Sequence, residues 1–361
     1  MFVKEFCAPT RICKLMFFIG CLIFSGGLVS AVRAQVDVAV HPRGTSSKVL
    51  SQTAQRVVFD SSAFHRSSMP TPYSDKGYLI THIVESFVAG TSNVVLYDKS
   101  GRKAREAAIW FPQSIRVVIT SAAVTSDGRI VASGEADKED GTRAPFIALT
   151  DLSGKVKETV QTKDFSPRNV CVAPDNTVWS FGGTWWDEVN DRPLSGDILR
   201  HFDFQKGQLA AYIPRSTFPD HSSYDSLSEM RCSANEVAIY SRSVNTYIVM
   251  PYESKISRLY EAPPPPGLTL TGFATFGPNK AYGVLINPQR SDDQMQGLYF
   301  LKLDDTTRTV HWVAVEGAAG PRTDVGTVIR LWGADGEFLV LGRAQDPSGV
   351  SALHWAAVSE K

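Results

Sequence analysis

Residues 123–134 read Ala-Val-Thr-Ser-Asp-Gly-Arg-Ile-Val-Ala-Ser-Gly, and residues 149–156 read Leu-Thr-Asp-Leu-Ser-Gly-Lys-Val. Each is an apolar run, a tight polar turn ending in glycine, and the start of a second run, which is the pattern of a β-hairpin. The first version recurs at Ser74–Gly77 before Tyr78, Pro174–Asn176 before Val178, Ser233–Asn235 before Val237, Gly277–Asn279 before Ala281, and Ala334–Gly336 before Phe338. Aligned on the last turn residue, the six positions are 77, 128, 176, 235, 279 and 336. All six carry Gly or Asn, the residue types that tolerate a left-handed backbone. The second version follows the first five in step, at Asp98–Gly101, Asp151–Gly154 and Asp203–Gly207, with looser forms at Tyr252–Lys255 and Leu303–Thr306.

Two hairpin turns per unit imply four strands per unit. Four-stranded units at intervals of 44 to 59 residues are the signature of an all-β propeller. Six units fit between about residue 60 and the end of the chain; seven blades, with a degenerate first one, is the alternative. A two-sheet sandwich array or two separate β domains would need a linker, and the run Pro263–Pro266 falls where a loop between units belongs. The sixth unit stops after its third strand, residues 352–358. Its open edge needs a partner. The spacing predicts a six-bladed β-propeller closed by an N-terminal strand from residues 36–60, either Val36–Val40 or Arg56–Phe59, paired with 352–358.

The stretches Leu96–Lys103, Leu149–Val156 and Ala123–Gly134 resemble blades of the NHL-repeat and TolB-like six-bladed propellers. The resemblance implies architecture over most of the chain. It implies no activity, because such propellers serve as binding proteins, lactonases and lyases alike.

Residues 1–34 read as a signal peptide. Basic Lys4, Arg11 and Lys14 precede the apolar run Leu15–Phe24, and Val32-Arg33-Ala34 places small residues at −1 and −3 of a cleavage site before Gln35. Residues 35–361 then form a single propeller domain, secreted or periplasmic, with no stable membrane span after cleavage. Two alternatives compete: an uncleaved anchor through residues 15–32, diluted by Ser25, Gly26, Gly27 and Ser30, and a lipoprotein box at Phe18–Cys21. The whole chain has 37 basic and 37 acidic side chains, and removing residues 1–34 leaves a net charge of −3. That balance, without a long basic run, argues against nucleic acid as a partner.

Cys171 and Cys232 are the cysteines left beyond residue 34. An oxidising compartment invites a disulfide. Their offsets from the aligned turn residues, five and three, differ by two, which predicts equivalent faces on neighbouring units and therefore two unpaired buried thiols.

No zinc, phosphate-loop, calcium-loop or nucleophile-elbow motif is present, so no metal and no cofactor is expected. Counting back six from each aligned turn gives Thr71, Ala122, Val170, Glu229, Phe273 and Arg330, a level near one mouth of the channel. Glu229 and Arg330 are charged there, and with His221 as acid or base they are the weak catalytic candidates for a hydrolase or lyase. The long loop of unit three carries Trp185, Trp186, Asp187 and Asp191, and the next inter-unit loop carries Tyr224 and Asp225. Paired aromatics beside carboxylates suit stacking and edge hydrogen bonds with a small molecule or glycan. Glu135, Asp137, Glu139, Asp140, Asp292 and Asp293 supply further carboxylates on the same face. The expected function is an exported binding module whose partner is a small molecule, a glycan or an envelope protein.

Overall fold

The structure, a computed structural model, describes residues 48–57, 71–73, 78–184, 186–187, 192–193, 196–218, 228–242, 244–275, 280–286, 297–315, 327–334, 337–343 and 351–360. All lie in the unit spanning His41–Lys361. The expected signal peptide and its cleavage site lie outside the described residues.

The first strand, β1 (Lys48–Val57), belongs to the last sheet. Sheet one contains β2 (Thr71–Tyr73), β3 (Tyr78–His82), β5 (Val94–Tyr97) and β6 (Lys103–Ala107), while the two-residue β4 (Glu85–Ser86) leaves it to pair with sheet two. Sheet two contains β7 (Ser114–Val124), β8 (Ile130–Lys138), β9 (Arg143–Thr150) and β10 (Val156–Gln161). Sheet three contains β11 (Phe165–Val172) and β12 (Val178–Thr184), then a ribbon of β13 (Trp186–Asp187) and β14 (Arg192–Pro193), then β15 (Asp197–Asp203) and β16 (Gly207–Pro214). Sheet four contains β17 (Glu229–Cys232), β18 (Glu236–Ser241), β19 (Thr246–Pro251) and β20 (Arg258–Glu261). Sheet five contains β21 (Thr269–Thr275), β22 (Ala281–Ile286), β23 (Gly297–Asp304) and β24 (Thr309–Ala314). A single parallel bridge, Glu261 to Thr309, joins the outer strands of sheets four and five. Sheet six contains β25 (Thr327–Ala334), β26 (Glu337–Arg343) and β27 (Ser351–Glu360), completed by β1.

The first strands of these sheets follow one another round an axis. β7 touches β11, β11 touches β17, β17 touches β21, β21 touches β25, and β25 touches β2, while β3 meets β7. This ring of radial sheets is a β-propeller. The closing strand falls inside the expected window. It runs antiparallel to β27 from Lys48 opposite Glu360 to Val57 opposite Leu353, and takes in only Arg56 and Val57 of the two segments singled out beforehand. The loop carrying Pro263–Pro266 lies between sheets four and five, as its composition implies, and Trp312 Nε1 donates to the Pro263 carbonyl at 2.9 Å.

Turn chemistry builds the hairpins. Gly128 and Asn176 have φ of 86° and 64°, and Gly101, Gly154 and Gly207 have 90°, 85° and 77°. Asn235 is a correction: it is not among the left-handed residues, because its hairpin is closed by a shorter turn. The aspartate that opens the second turn caps it from within. Asp98 Oδ1 accepts the Ser100 and Arg102 amides at 2.9 and 3.0 Å, and Asp151 does the same for Ser153 and Lys155. These donors favour the charged carboxylate, and hydrogen bonds from Ser100 above all hold Asp98 down to about 2. Gly154 also packs where no side chain fits: an added Cβ would lie 2.0 Å from the Glu106 carbonyl oxygen of sheet one.

Among the described side chains, apolar strand residues bury two clusters. One cluster runs from Ile80 in sheet one to Met250 in sheet four, and a second joins sheets four and five around Tyr240, Tyr247, Tyr260 and Phe273. Fully buried Trp179 stacks on His201 with centroids 4.2 Å apart.

Cys171 and Cys232 are joined in a disulfide with a Cα–Cα distance of 5.4 Å, against the expectation of separate thiols. The reason is turn length. Five residues separate the last pair Val172–Val178 of the sheet-three hairpin, but only four separate Cys232 from Val237 in sheet four. Counted from the ladder end rather than the turn residue, the cysteines differ by one position. Their side chains therefore leave opposite faces of their own sheets and meet across the gap. The strands also converge towards the axis, well inside the ~10 Å spacing of packed sheets. The unreduced protein should weigh two hydrogens less than the dithiol by intact-mass spectrometry. Reduction should cost about 2–4 kcal/mol of stability in denaturant unfolding.

One buried group works against the fold at neutral pH. Glu236, which opens β18, is 1% exposed, and neither carboxylate oxygen has a hydrogen-bond partner. Burial pushes its pKa up to about 7, opposed by Arg258, while Tyr247 of β19 also faces it. A folded-state value above the unfolded one means that stability is fully present near pH 4 and declines as pH rises towards 7. Replacing Glu236→Gln should raise Tm at pH 8, with the gain shrinking to nothing near pH 4 in a pH series of thermal melts.

Candidate functional site

Three inner strands and one second strand wall a polar cavity of about 190 Å³. Its residues are Thr120, Ser121 and Ala122 of β7, Asn169 and Val170 of β11, Glu229, Met230 and Arg231 of β17, and Ile80 and His82 of β3. Ala122, Val170 and Glu229 come from the level obtained by counting back from the turns. Thr120, Ser121 and Asn169 were not among the residues singled out from the sequence.

Backbone irregularity explains how they arrive there. The ladder of β7 and β8 skips Thr120, that of β11 and β12 skips Arg168, that of β21 and β22 skips Thr271, and that of β25 and β26 skips Ile329. A bulge re-aims side chains and sharpens local twist. In β7 it lets Thr120 Oγ1 donate to the Pro167 carbonyl of β11 at 2.6 Å, while Ser121 Oγ accepts the Val170 amide at 3.2 Å. Sheets two and three are stitched together at the cavity wall.

His82 was missed by sequence reasoning, which considered only His221. The β2–β3 ladder ends at Thr71 opposite Ile80, so Thr81 and His82 extend past the described part of their inner neighbour. Strand alternation puts His82 on the same face as buried Ile80, and that was the available signal. Burial lowers the His82 pKa to about 4, so the imidazole is neutral at physiological pH.

Glu229 lies opposite Tyr240 in the ladder, with 20% of its side-chain surface exposed. Arg242 Nη2 donates to Glu229 Oε1 at 3.0 Å, and Arg231 Nη2 lies 3.8 Å from Oε2. Desolvation raises the carboxyl's pKa against the opposing pull of Arg231, Arg242 and the Phe273 amide. Its described ion pairs are thus within its own sheet. Arg330 is placed on β25 opposite Leu341, with its side chain outside the description.

The other candidates fall as follows. Trp186 and Asp187 form β13, opposite Pro193 and Arg192, and their side chains are not described. Trp185, Asp191, His221, Tyr224 and Asp225 lie outside the described residues, as do Asp292 and Asp293. Glu135 and Asp137 sit on β8 and are already engaged. Arg116 bridges Glu85 and Asp137 at 2.7 and 3.0 Å, Arg143 approaches Asp137 and Glu135 at 3.1 and 3.7 Å, and Ser166 donates to Glu135. Asp140 accepts from the Thr142 amide and hydroxyl in a local turn. Among the described residues, no three His, Cys, Asp or Glu side chains converge to hold a metal ion, and no helix is long and apolar enough to cross a membrane.

No protein-family model matches the chain, and no curated protein matches it in sequence. Solved structures do. A Bacteroides fragilis protein assigned to the exported class superposes with a TM-score of 0.51 at 10% identity, covering 87% of this chain and 96% of that one. The aldose sugar dehydrogenase of Streptomyces coelicolor gives 0.46 at 12% identity over 86% and 98% of the two chains, and the WD40 repeats of RRP9 give 0.46 at 7% over 86% and 100%. The first likeness shows the fold alone, and the other two are too distant in superposition to bear on activity or ligand.

The Glu229 cluster makes its own prediction. Replacing Arg242→Met leaves a desolvated carboxylate short of its best partner, and should cost about 2–3 kcal/mol in urea unfolding. Adding Glu229→Gln to that variant should restore at least half of the loss.

Proposed function

We propose that this protein is an exported six-bladed β-propeller, of the NHL-repeat type, that binds a small polar ligand at its central channel. One observation carries the reading: a polar cavity of about 190 Å³ where the inner strands of three sheets meet. A cavity of that size is large enough for a ligand of roughly six to ten non-hydrogen atoms, since an engineered void of ~150 Å³ takes benzene. Export is supported by the hydrophobic, basic-flanked residues 1–34 and by the Cys171–Cys232 disulfide, a bond that persists in oxidising compartments.

The unit-three loop is the proposed rim of this site. β3 and β12 are both second strands of their sheets and run the same way, so the loop after β12 leaves on the face where His82 ends β3. Trp185, Trp186, Asp187 and Asp191, with Tyr224 and Asp225, stack on and hydrogen-bond the part of a ligand that protrudes. A larger partner, a glycan or an envelope protein, engages the same rim.

A second reading, a hydrolase or lyase, is favoured by His82 and Glu229 sharing the cavity. Burial lowers the His82 pKa and raises that of Glu229, shifts that leave the imidazole free to accept a proton and favour the carboxyl as a donor.

A thermal-shift screen of small polar molecules tests the binding reading, because a ligand of the folded state raises Tm. At least one compound should raise Tm, and replacing Trp185→Ala and Trp186→Ala should weaken that response while changing stability by less than about 1 kcal/mol. A loss beyond about 4 kcal/mol would place the pair in the core instead. Turnover of a bound compound, abolished separately by His82→Ala and Glu229→Gln, would favour the enzyme.

A further inference from the structure

The ligand class can be drawn from the hydrogen-bonding balance of the cavity, an argument that rests on the reading of that cavity as a binding site. Arg231 and Arg242 both pair with Glu229, and among the described residues neither has a second acidic partner. Two guanidinium groups thus share one carboxylate in a desolvated corner. Of the two, Arg231 is the one that lines the cavity; its Nη1 spends one donor on the Met230 carbonyl, and its Nε is buried without a hydrogen-bond partner. His82 adds no compensating negative charge. Among the described residues, the corner carries a surplus positive charge however Glu229 is protonated.

The remaining polar groups face the same way chemically. The Asn169 carboxamide makes no hydrogen bond to a described residue, so its NH2 is available. Ser121 Oγ already accepts the Val170 amide, which leaves its O–H as a donor. The Glu229 carboxylate, the acceptor best placed to bind a cation, already lies between two guanidinium groups: Oε1 accepts from Arg242, and Oε2, buried without a hydrogen bond, is 3.8 Å from Arg231 Nη2. A cavity with donors to spare and its carboxylate taken is built for an anion, and guanidinium, amide and hydroxyl donors suit the planar, two-oxygen geometry of a carboxylate. The volume of about 190 Å³ limits the ligand to a small one.

We propose that the central cavity binds a small organic carboxylate, held by Arg231 with Asn169 and Ser121 as supporting donors. The attraction of the anion for Arg231 grows as water is excluded, while the paired Glu229 keeps both arginines oriented.

The test uses the full mature chain at neutral pH, with sodium lactate and sodium gluconate as probes. Glycerol and erythritol serve as neutral comparators, and sodium chloride matches the ionic strength. Calorimetry and thermal shift should show binding of at least one carboxylate and none of the neutral polyols. Arg231→Met should weaken it at least tenfold, and Asn169→Ala and Ser121→Ala each severalfold, with the unliganded melting temperature unchanged in Asn169→Ala and lowered in Ser121→Ala, which loses the bond to the Val170 amide. Should Arg231→Met fail to fold, the Asn169 and Ser121 variants carry the test alone: unchanged carboxylate affinity in both overturns the proposal. So does undiminished binding in a folded Arg231→Met. Binding of the polyols in preference to the carboxylates overturns the anion assignment and leaves the cavity reading standing. Carboxylate binding that survives those cavity substitutions but is lost with Trp185→Ala and Trp186→Ala moves the site to the rim and overturns both.

Discussion

Everything in this molecule depends on one backbone pairing, the ladder between Lys48–Val57 and Ser351–Glu360. A radial array of sheets is stable only if its ends meet, because an open array exposes a sheet face and a strand edge at each end. Here the last sheet lacks an outer strand of its own and takes it from the other end of the chain. With that strand in place β25 is held against β2, and the inner strands enclose an axis. The cavity walled by β7, β11, β17 and β3 exists only because that enclosure holds.

Close to the axis, ordinary strand geometry is in tension with convergence. Inner strands approach more closely than packed sheets do elsewhere, and the chain answers with bulges at Thr120, Arg168, Thr271 and Ile329. Each bulge frees backbone groups and side chains from the ladder, which is where Thr120 and Ser121 find partners on the next sheet. The same crowding brings Cys171 and Cys232 within bonding distance. It also strips water from Glu229, which is tolerated because two arginines lie beside it. Glu236 has only the weaker pull of Arg258 and no hydrogen bond to either oxygen, and it shows the cost of burial without a close partner.

The architecture was legible because turns are local. Whether Asp98, Ser100 and Gly101 make a turn depends on atoms within a few residues, so six copies of one pattern could be seen in sequence and the missing outer strand inferred from the shortfall. What lay across the gaps between sheets was not legible. The direction of Cys232 depended on a hairpin one residue shorter than its counterpart, a difference hidden by aligning on Asn235. Glu229 was singled out for its charge and depth, yet its described ion pairs are with Arg231 and Arg242 of its own sheet. Asn169 and Ser121 carry no charge and fit no motif, and their place at the cavity follows from bulges that no residue type announces. His82 was within reach of strand alternation from Ile80.

The borrowed strand also dictates an order of events in the life of the chain. Residues paired between β1 and β27 are separated by roughly three hundred positions, so closure waits on the most distant contact in the molecule. A chain made amino end first must hold β1 ready while the other sheets form behind it. During that interval the strand is an unpaired edge, open to the wrong partner, including the same strand of another copy. The Cys171–Cys232 bond needs only the middle of the chain and can lock sheets three and four beforehand. The ring is then fastened in two stages, by a covalent staple at the hub and later by a clasp at the rim.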